Sequence, residues 1–156
     1  MWFLLLWAIG LVTSFIHLYL LGFPHEPQVI YANILLHQFV VTFGLVGVVG
    51  IFSNIIFADK MSQSLGWPGG PFQIKYGFAQ LALGVLGVMA IWFRGYFWAA
   101  VIVNMYMYGL SGLWSHSAEM IKNKKFDAAN VSNIIMDFAY QAFITILSIN
   151  IPGVWR

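Results

Sequence analysis

The sequence predicts an all-α membrane protein folded as a bundle of five transmembrane helices. Three observations predict it. Of 156 residues, 61% are hydrophobic and only 8% are charged, whereas a soluble domain carries about a quarter charged residues to keep its surface in water. The mean hydropathy is +0.82. Five mostly apolar stretches, at 2–22, 32–57, 72–93, 96–120 and 131–151, each reach the length of about 20 residues that a membrane-crossing helix needs. Lipid offers the backbone no hydrogen-bond partners, so spanning segments that satisfy themselves are helices. The whole of 1–156 reads as a single transmembrane helical domain.

Each element follows from its flanks. The Trp2-Phe3-Leu4-Leu5-Leu6 run opens the first span. It reads as a retained membrane helix, because no basic region precedes it and no small-residue cleavage pattern follows. Gly22-Phe23-Pro24 and Pro27 mark the first loop, and Gly66 to Pro71 the second. Arg94-Gly95 is a tight turn that predicts an antiparallel hairpin of the third and fourth spans, and Pro152-Gly153 ends the fifth. Aromatic residues gather near the span ends, at Trp2, Trp7, Trp67, Trp92, Phe93, Tyr96 to Trp98, Trp114 and Trp155. They read as interfacial belts.

The cations orient the bundle. Lys60, Lys75, Lys122, Lys124 and Lys125 fall on the side shared by the N-terminus, against Arg94 and Arg156 on the other. Positive charge favours the cytoplasmic face, so the expected arrangement is multi-pass in the cytoplasmic (plasma or inner) membrane with the N-terminus cytoplasmic. The net charge of +2 is spread over loops, which speaks against nucleic acid as a partner. The absence of cysteine excludes disulfides and thiolate chemistry.

Small and polar residues recur at helical spacing. Gly44, Gly47, Gly50 and Asn54 share one face of the second span, Gly77, Gln80, Gly84 and Gly87 one face of the third, and Gly109, Gly112, His116 and Glu119 one face of the fourth. Small residues let helices approach closely in lipid, which predicts packing through these faces. The fifth span carries Asp137, Gln141, Thr145 and Ser148. Depth brings Asn54, Gln73, Lys75, Gln80, His116, Glu119 and Asp137 to one level, which predicts a buried polar pocket at the cytoplasmic side. A carboxylate inside the apolar zone costs about 2.5–3.5 kcal/mol, so it calls for a partner or a function. The two readings are a metal, proton or headgroup site and an ion-paired network with Lys75 as counter-charge. His17 and His37 sit at similar depth on the other side, with His25 and Glu26 between them. His17, His37 and His116 are the candidate metal ligands; interfacial histidines at a wet boundary are the simpler reading. Ser115 and Ser117 flank His116 without forming any known catalytic motif, so no catalytic residue is assigned, and the cofactor stays unknown.

The stretches "GWPGGPFQIKYGFAQLALGVLG", "RGYFWAA" and "GLWSHSAEMIKNKKFDAANVSNIIMDF" resemble a family of small bacterial and archaeal integral membrane proteins of unknown function. The family's pattern is of the F-Q-x-E-x-G and G-H-x-x-E-M type, matched over residues 66–138. Gln73, Gly77, Gly84, Gly87, His116, Glu119, Asn130 and Asp137 match it by position. Lys75 stands where the family has Glu, and Gln80 where it has Asn. The resemblance implies a helical membrane protein and brings no activity. The lysine would repel a cation and pair with Glu119 or Asp137, which weighs toward a structural role.

The functional expectation is therefore a non-catalytic structural or accessory subunit of a larger membrane complex, with the lipid bilayer and other membrane subunits, or further copies of itself, as partners. The alternative is a small transporter or carrier of a metal ion, proton or small solute. An enzyme acting on lipid or quinone stands third.

Overall fold

The computed structural model describes residues 2–65, 69–122, 124 and 126–156, and the described residues form helices and turns with no strand. The helices are α1 (Trp2–Leu20), α2 (Pro27–Ile56), α3 (Ala58–Leu65), α4 (Pro71–Met89), α5 (Tyr96–Lys122) and α6 (Ala128–Ile149). Among the described residues four segments are long and apolar enough to cross a membrane: α1, α2, α4 and Asn130–Ile149 of α6. The expected count of five is not reached on length and composition, because α5 breaks its apolar character with Asn104, three tyrosines, three serines, His116 and Glu119.

Two boundaries differ from expectation for identifiable reasons. The second span begins at Pro27, not in a loop. Proline is well placed in the first helical turn, where its missing N–H has no partner to lose. Residues 58–65, expected as loop, form the short α3, in which the Ser62 hydroxyl donates to the Asp59 carbonyl at 2.9 Å. The second loop's Trp67 lies outside the described residues.

Helix α2 is the central element. It runs 30 residues, but Gln38–Phe43 and Ile51–Ile56 are wound as π-helix. Such segments shift the hydrogen-bond ladder and often occur at functional sites. Helix α1 lies along the first part of α2, where Gly10 abuts Thr42 and Gln38 and the Thr42 hydroxyl reaches the Leu6 carbonyl at 3.3 Å. Helix α4 lies along the second part, and here the glycine faces meet as expected. A methyl built on Gly84 would sit 3.0 Å from the Gly47 Cα and 3.0 Å from the Phe43 carbonyl oxygen. The buried stripe of α1 is Leu6, Gly10, Ser14 and Leu18, while Phe15, Ile16 and Tyr19 are exposed.

Helices α5 and α6 pack along one another and close on α2 through an apolar core of Phe39, Phe43, Trp98, Ile102, Met105, Tyr140 and Ile144. Tyr140 is wholly buried, with the Phe3 ring edge-on at 4.7 Å and the Trp7 ring at 5.1 Å. Trp98, expected in an interfacial belt, is instead 2% exposed. Its indole nitrogen donates to the Ala90 carbonyl at 3.0 Å, which pins the α4–α5 turn. Trp2, Trp92 and Trp114 stay exposed.

Candidate functional site

The polar residues expected at one level divide into three groups. The first is built on α2 and α4. Asn54, in the second π segment, donates from Nδ2 to Gln80 Oε1 at 2.6 Å and to the Ser53 hydroxyl at 3.0 Å. Gln73 Nε2 donates to Asn54 Oδ1 at 3.3 Å, and Gln80 Nε2 donates to the Tyr108 oxygen at 2.8 Å. Tyr76 bonds Tyr108 at 3.2 Å, their rings stacked 6.0 Å apart at 11°. Asn54, Gln73 and Gln80 are buried, and their bonds join α2, α4 and α5. Asn54, Gln73 and Gln80 were legible in the sequence. Tyr108 was not, since a tyrosine mid-helix reads as packing.

The second group lies on the α5–α6 seam. Gln141 Nε2 donates to the Met105 carbonyl at 3.2 Å, a path that only a glycine at 109 leaves open. One turn along, Asp137 Oδ2 lies 2.8 Å from where a Cβ on Gly112 would stand. Asp137 Oδ2 and Gln141 Oε1 are both buried without a hydrogen-bond partner among the described residues. Beside them opens a groove of about 310 Å³ walled by Tyr106, Met107, Leu110 and Phe138. Tyr108 of the first group and Gly109 and Gly112 of the second share one stretch of α5, so the two groups are neighbours without being bonded.

The third group fastens the start of α6. Asp127 caps it, accepting from the Asn130 backbone N–H at 2.8 Å, a common way to satisfy a free first-turn donor. His116 Nδ1 lies 2.8 Å from Asn130 Oδ1 and donates to it. Glu119 is half-buried on the same stretch of α5.

Lys75 is the correction. It is exposed, with its ammonium 5.7 Å above the Phe72 ring centroid, and it forms no ion pair with Asp137 or Glu119. On α4 the buried positions are Gln73, Gly77, Gln80 and Gly84. Residue 75 lies two positions from Gln73, which turns it to the other side of the helix.

His17 and His37 do come together. His17 Nδ1 and His37 Nε2 are 3.0 Å apart, Asn33 Nδ2 is 2.8 Å from His17 Nδ1, and Thr13 Oγ1 is 3.0 Å from His37 Nδ1. His116 joins neither. Among the described residues no three His, Cys, Asp or Glu side chains converge as metal ligands would.

A family model described as a family of unknown function (DUF6790) matches residues 1–151. The chain belongs to this family. The match takes in α1 and α2, which the resemblance over residues 66–138 did not reach. No curated protein and no solved structure matches the chain. Within this DUF6790 chain, the first group can do little chemistry, because amides and phenols that bond each other hold helices. The α5–α6 seam differs: it holds a carboxylate oxygen and an amide oxygen that have no hydrogen-bond partner among the described residues. Gln73 Oε1 in the first group is likewise a buried acceptor without a partner among the described residues, but on the seam two such acceptors, one of them a carboxylate oxygen, lie one turn apart beside a groove.

Proposed function

We propose that this DUF6790 chain is a non-catalytic accessory subunit of a larger assembly in the cytoplasmic membrane, with five spans and a cytoplasmic N-terminus. The observation behind this reading is the unsatisfied pair Asp137 and Gln141 beside a lateral groove. An acceptor left without a donor in lipid is costly, and a neighbouring helix that brings a hydroxyl, amide or cationic side chain into the groove removes that cost. The groove walls support such docking: Met107, Leu110 and Phe138 are exposed apolar residues on the outside of the bundle. Association between helices in lipid rests on close packing and interhelical hydrogen bonds, and the seam offers both.

Isolation from native membrane in mild detergent tests the reading. The expected result is a complex containing a second kind of membrane subunit, and Asp137→Leu should release that subunit while the chain itself still folds. A monodisperse particle holding one copy of this chain alone overturns it. A particle of several copies makes the partner another copy.

A second reading, a proton or cation carrier, draws on one observation. Asp137 Oδ2 is a buried carboxylate oxygen without a hydrogen-bond partner among the described residues, packed against Gly112 of α5, with His116 one turn further along that helix. Reconstitution in liposomes under an imposed pH gradient tests it; proton flux abolished by Asp137→Asn is its expected signature, and absence of flux ends it.

A further inference from the structure

At the end of the bundle where α1 turns into α2 lies a groove of about 330 Å³. Leu21 and Leu36 are among its apolar walls, and His17, Gln28, Asn33 and Arg94 are its polar ones. No carboxylate lines it. Glu26, the acid of the adjoining loop, is exposed and lies off the lining.

Hydrogen-bond accounting sets what His17 presents. Asn33 Oδ1 accepts the Ser14 hydroxyl at 3.1 Å, so the Asn33 group 2.8 Å from His17 Nδ1 is the donating Nδ2. His17 Nδ1 is therefore an acceptor, and the hydrogen of the neutral ring stands on Nε2. That lone pair is taken by Asn33, so no second donor is assigned to it; His37 Nε2 lies 3.0 Å from the same Nδ1, and the Thr13 hydroxyl, 3.0 Å from His37 Nδ1, donates to the Gly10 carbonyl at 3.0 Å. His17 Nε2–H takes no partner among the described residues. The same lining brings a fixed charge. The Arg94 guanidinium carbon lies 5.3 Å over the Trp98 ring, and Trp98 is buried and bonded to the Ala90 carbonyl. Among the described residues Arg94 forms no ion pair, so its donors are unspent.

The groove thus joins a cation and a ring N–H donor to an apolar trough. A ligand that fits has an anionic oxygen head and a hydrocarbon tail. We propose that this groove binds an anionic phospholipid, its phosphate oxygens held by Arg94 and His17 Nε2–H and an acyl chain lying along Leu21 and Leu36. Guanidinium is well suited to this, since its planar fork meets two phosphate oxygens at once. The site is distinct from the α5–α6 seam and does not depend on the accessory-subunit reading.

The test uses the purified full chain in mild detergent, with dioleoylphosphatidylglycerol, dioleoylphosphatidylcholine or inorganic phosphate added, read by native mass spectrometry and thermal unfolding. The expected result is retained phosphatidylglycerol adducts and a raised melting temperature, with neither the zwitterionic lipid nor phosphate giving the same. Arg94→Gln should weaken phosphatidylglycerol binding about fivefold or more, the worth of one basic residue at an anionic lipid surface. Arg156→Gln, which removes the other arginine, should leave it unchanged. Equal losses in both variants overturn the site, because diffuse charge attraction would then account for binding. Equal retention of phosphatidylcholine overturns it too, and saturation by phosphate alone overturns the lipid as ligand. If Arg94→Gln does not fold, a photoreactive phosphatidylglycerol on the native chain decides. Label on the peptides holding Leu21 or Leu36 supports the site, and label confined elsewhere overturns it.

Discussion

Asn54 on α2 donates to Gln80 on α4 at 2.6 Å, and it does so where Gly50 lets Gln80 in: a Cβ on Gly50 would lie 2.6 Å from the Gln80 Cβ. The close helix approach and the interhelical hydrogen bond are thus one device. Asn54→Leu removes one partner and leaves the Gln80 carbonyl buried. The lost bond is worth only about 0.6 kcal/mol in a membrane bundle, whereas an orphaned buried polar group costs about 1–3 kcal/mol. The second term dominates. Asn54→Leu should destabilise by that larger amount, and Asn54→Leu with Gln80→Leu should recover part of it. Unfolding of both variants in detergent checks the order, and a double variant weaker than the sum of the singles sinks it.

Gly84 and Gly44 separate a required glycine from a permissive one. At Gly84 the built methyl meets the Gly47 Cα and the Phe43 carbonyl, both backbone, at 3.0 Å. Backbone cannot step aside as a side chain does, so Gly84→Ala should force α2 and α4 apart. The expected cost is about 1–3 kcal/mol, the range for overpacking. At Gly44 the nearest atom is the Val88 Cγ2 at 3.8 Å, ordinary contact, and Gly44→Ala should leave stability unchanged. Melting temperatures of the two variants side by side provide the measurement.

Lys75 and Asp137 should be energetically independent. The lysine is exposed over Phe72, and the aspartate is on the α5–α6 seam. Lys75→Met should change stability by no more than about 0.5 kcal/mol, as surface substitutions do. In a double-mutant cycle with Asp137→Asn the coupling should stay within about 0.5 kcal/mol, the additivity expected of sites that share no partner. A larger favourable coupling would restore the ion pair.

Much of this architecture was legible because glycine at helical spacing has few other uses in lipid. The Gly47, Gly84, Gly77 and Gly87 faces meet as their spacing requires. Asn54, Gln73 and Gln80 were likewise legible as inward polar residues, since lipid would not accept them outside. The pocket's internal wiring was not. Whether Lys75 faces Asp137 depends on the rotation of α4 about its own axis, which spacing leaves open for a single residue near a helix end. The π segments at Gln38–Phe43 and Ile51–Ile56 leave no mark in composition, yet the buried Gln38 and Asn54 lie within them. Trp98 was misplaced for a related reason: a tryptophan near a helix end fits an interface and a core equally well until its neighbours are known.

The proposed fifth crossing depends on α5. Three registers tie it antiparallel to α6: Gly109 with Gln141, Gly112 with Asp137 and His116 with Asn130. Residues Asn130–Ile149 of α6 are long and apolar enough to cross a membrane. A 27-residue helix is about 40 Å long at 1.5 Å per residue, longer than the hydrocarbon core of about 30 Å. On the proposed five-span reading, α5 follows α6 through these registers and crosses beside it. Arg94 and Lys124, before and after α5, should then lie on opposite faces of the membrane. The chain contains no cysteine, so single variants report cleanly. Arg94→Cys should react with a membrane-impermeant maleimide added to intact cells, and Lys124→Cys only after permeabilisation, because Lys124 stands with the lysines that favour the cytoplasmic face. Reaction of both from the same side would mean that α5 lies along the membrane instead of through it, and reaction of Lys124→Cys alone from outside would reverse the orientation.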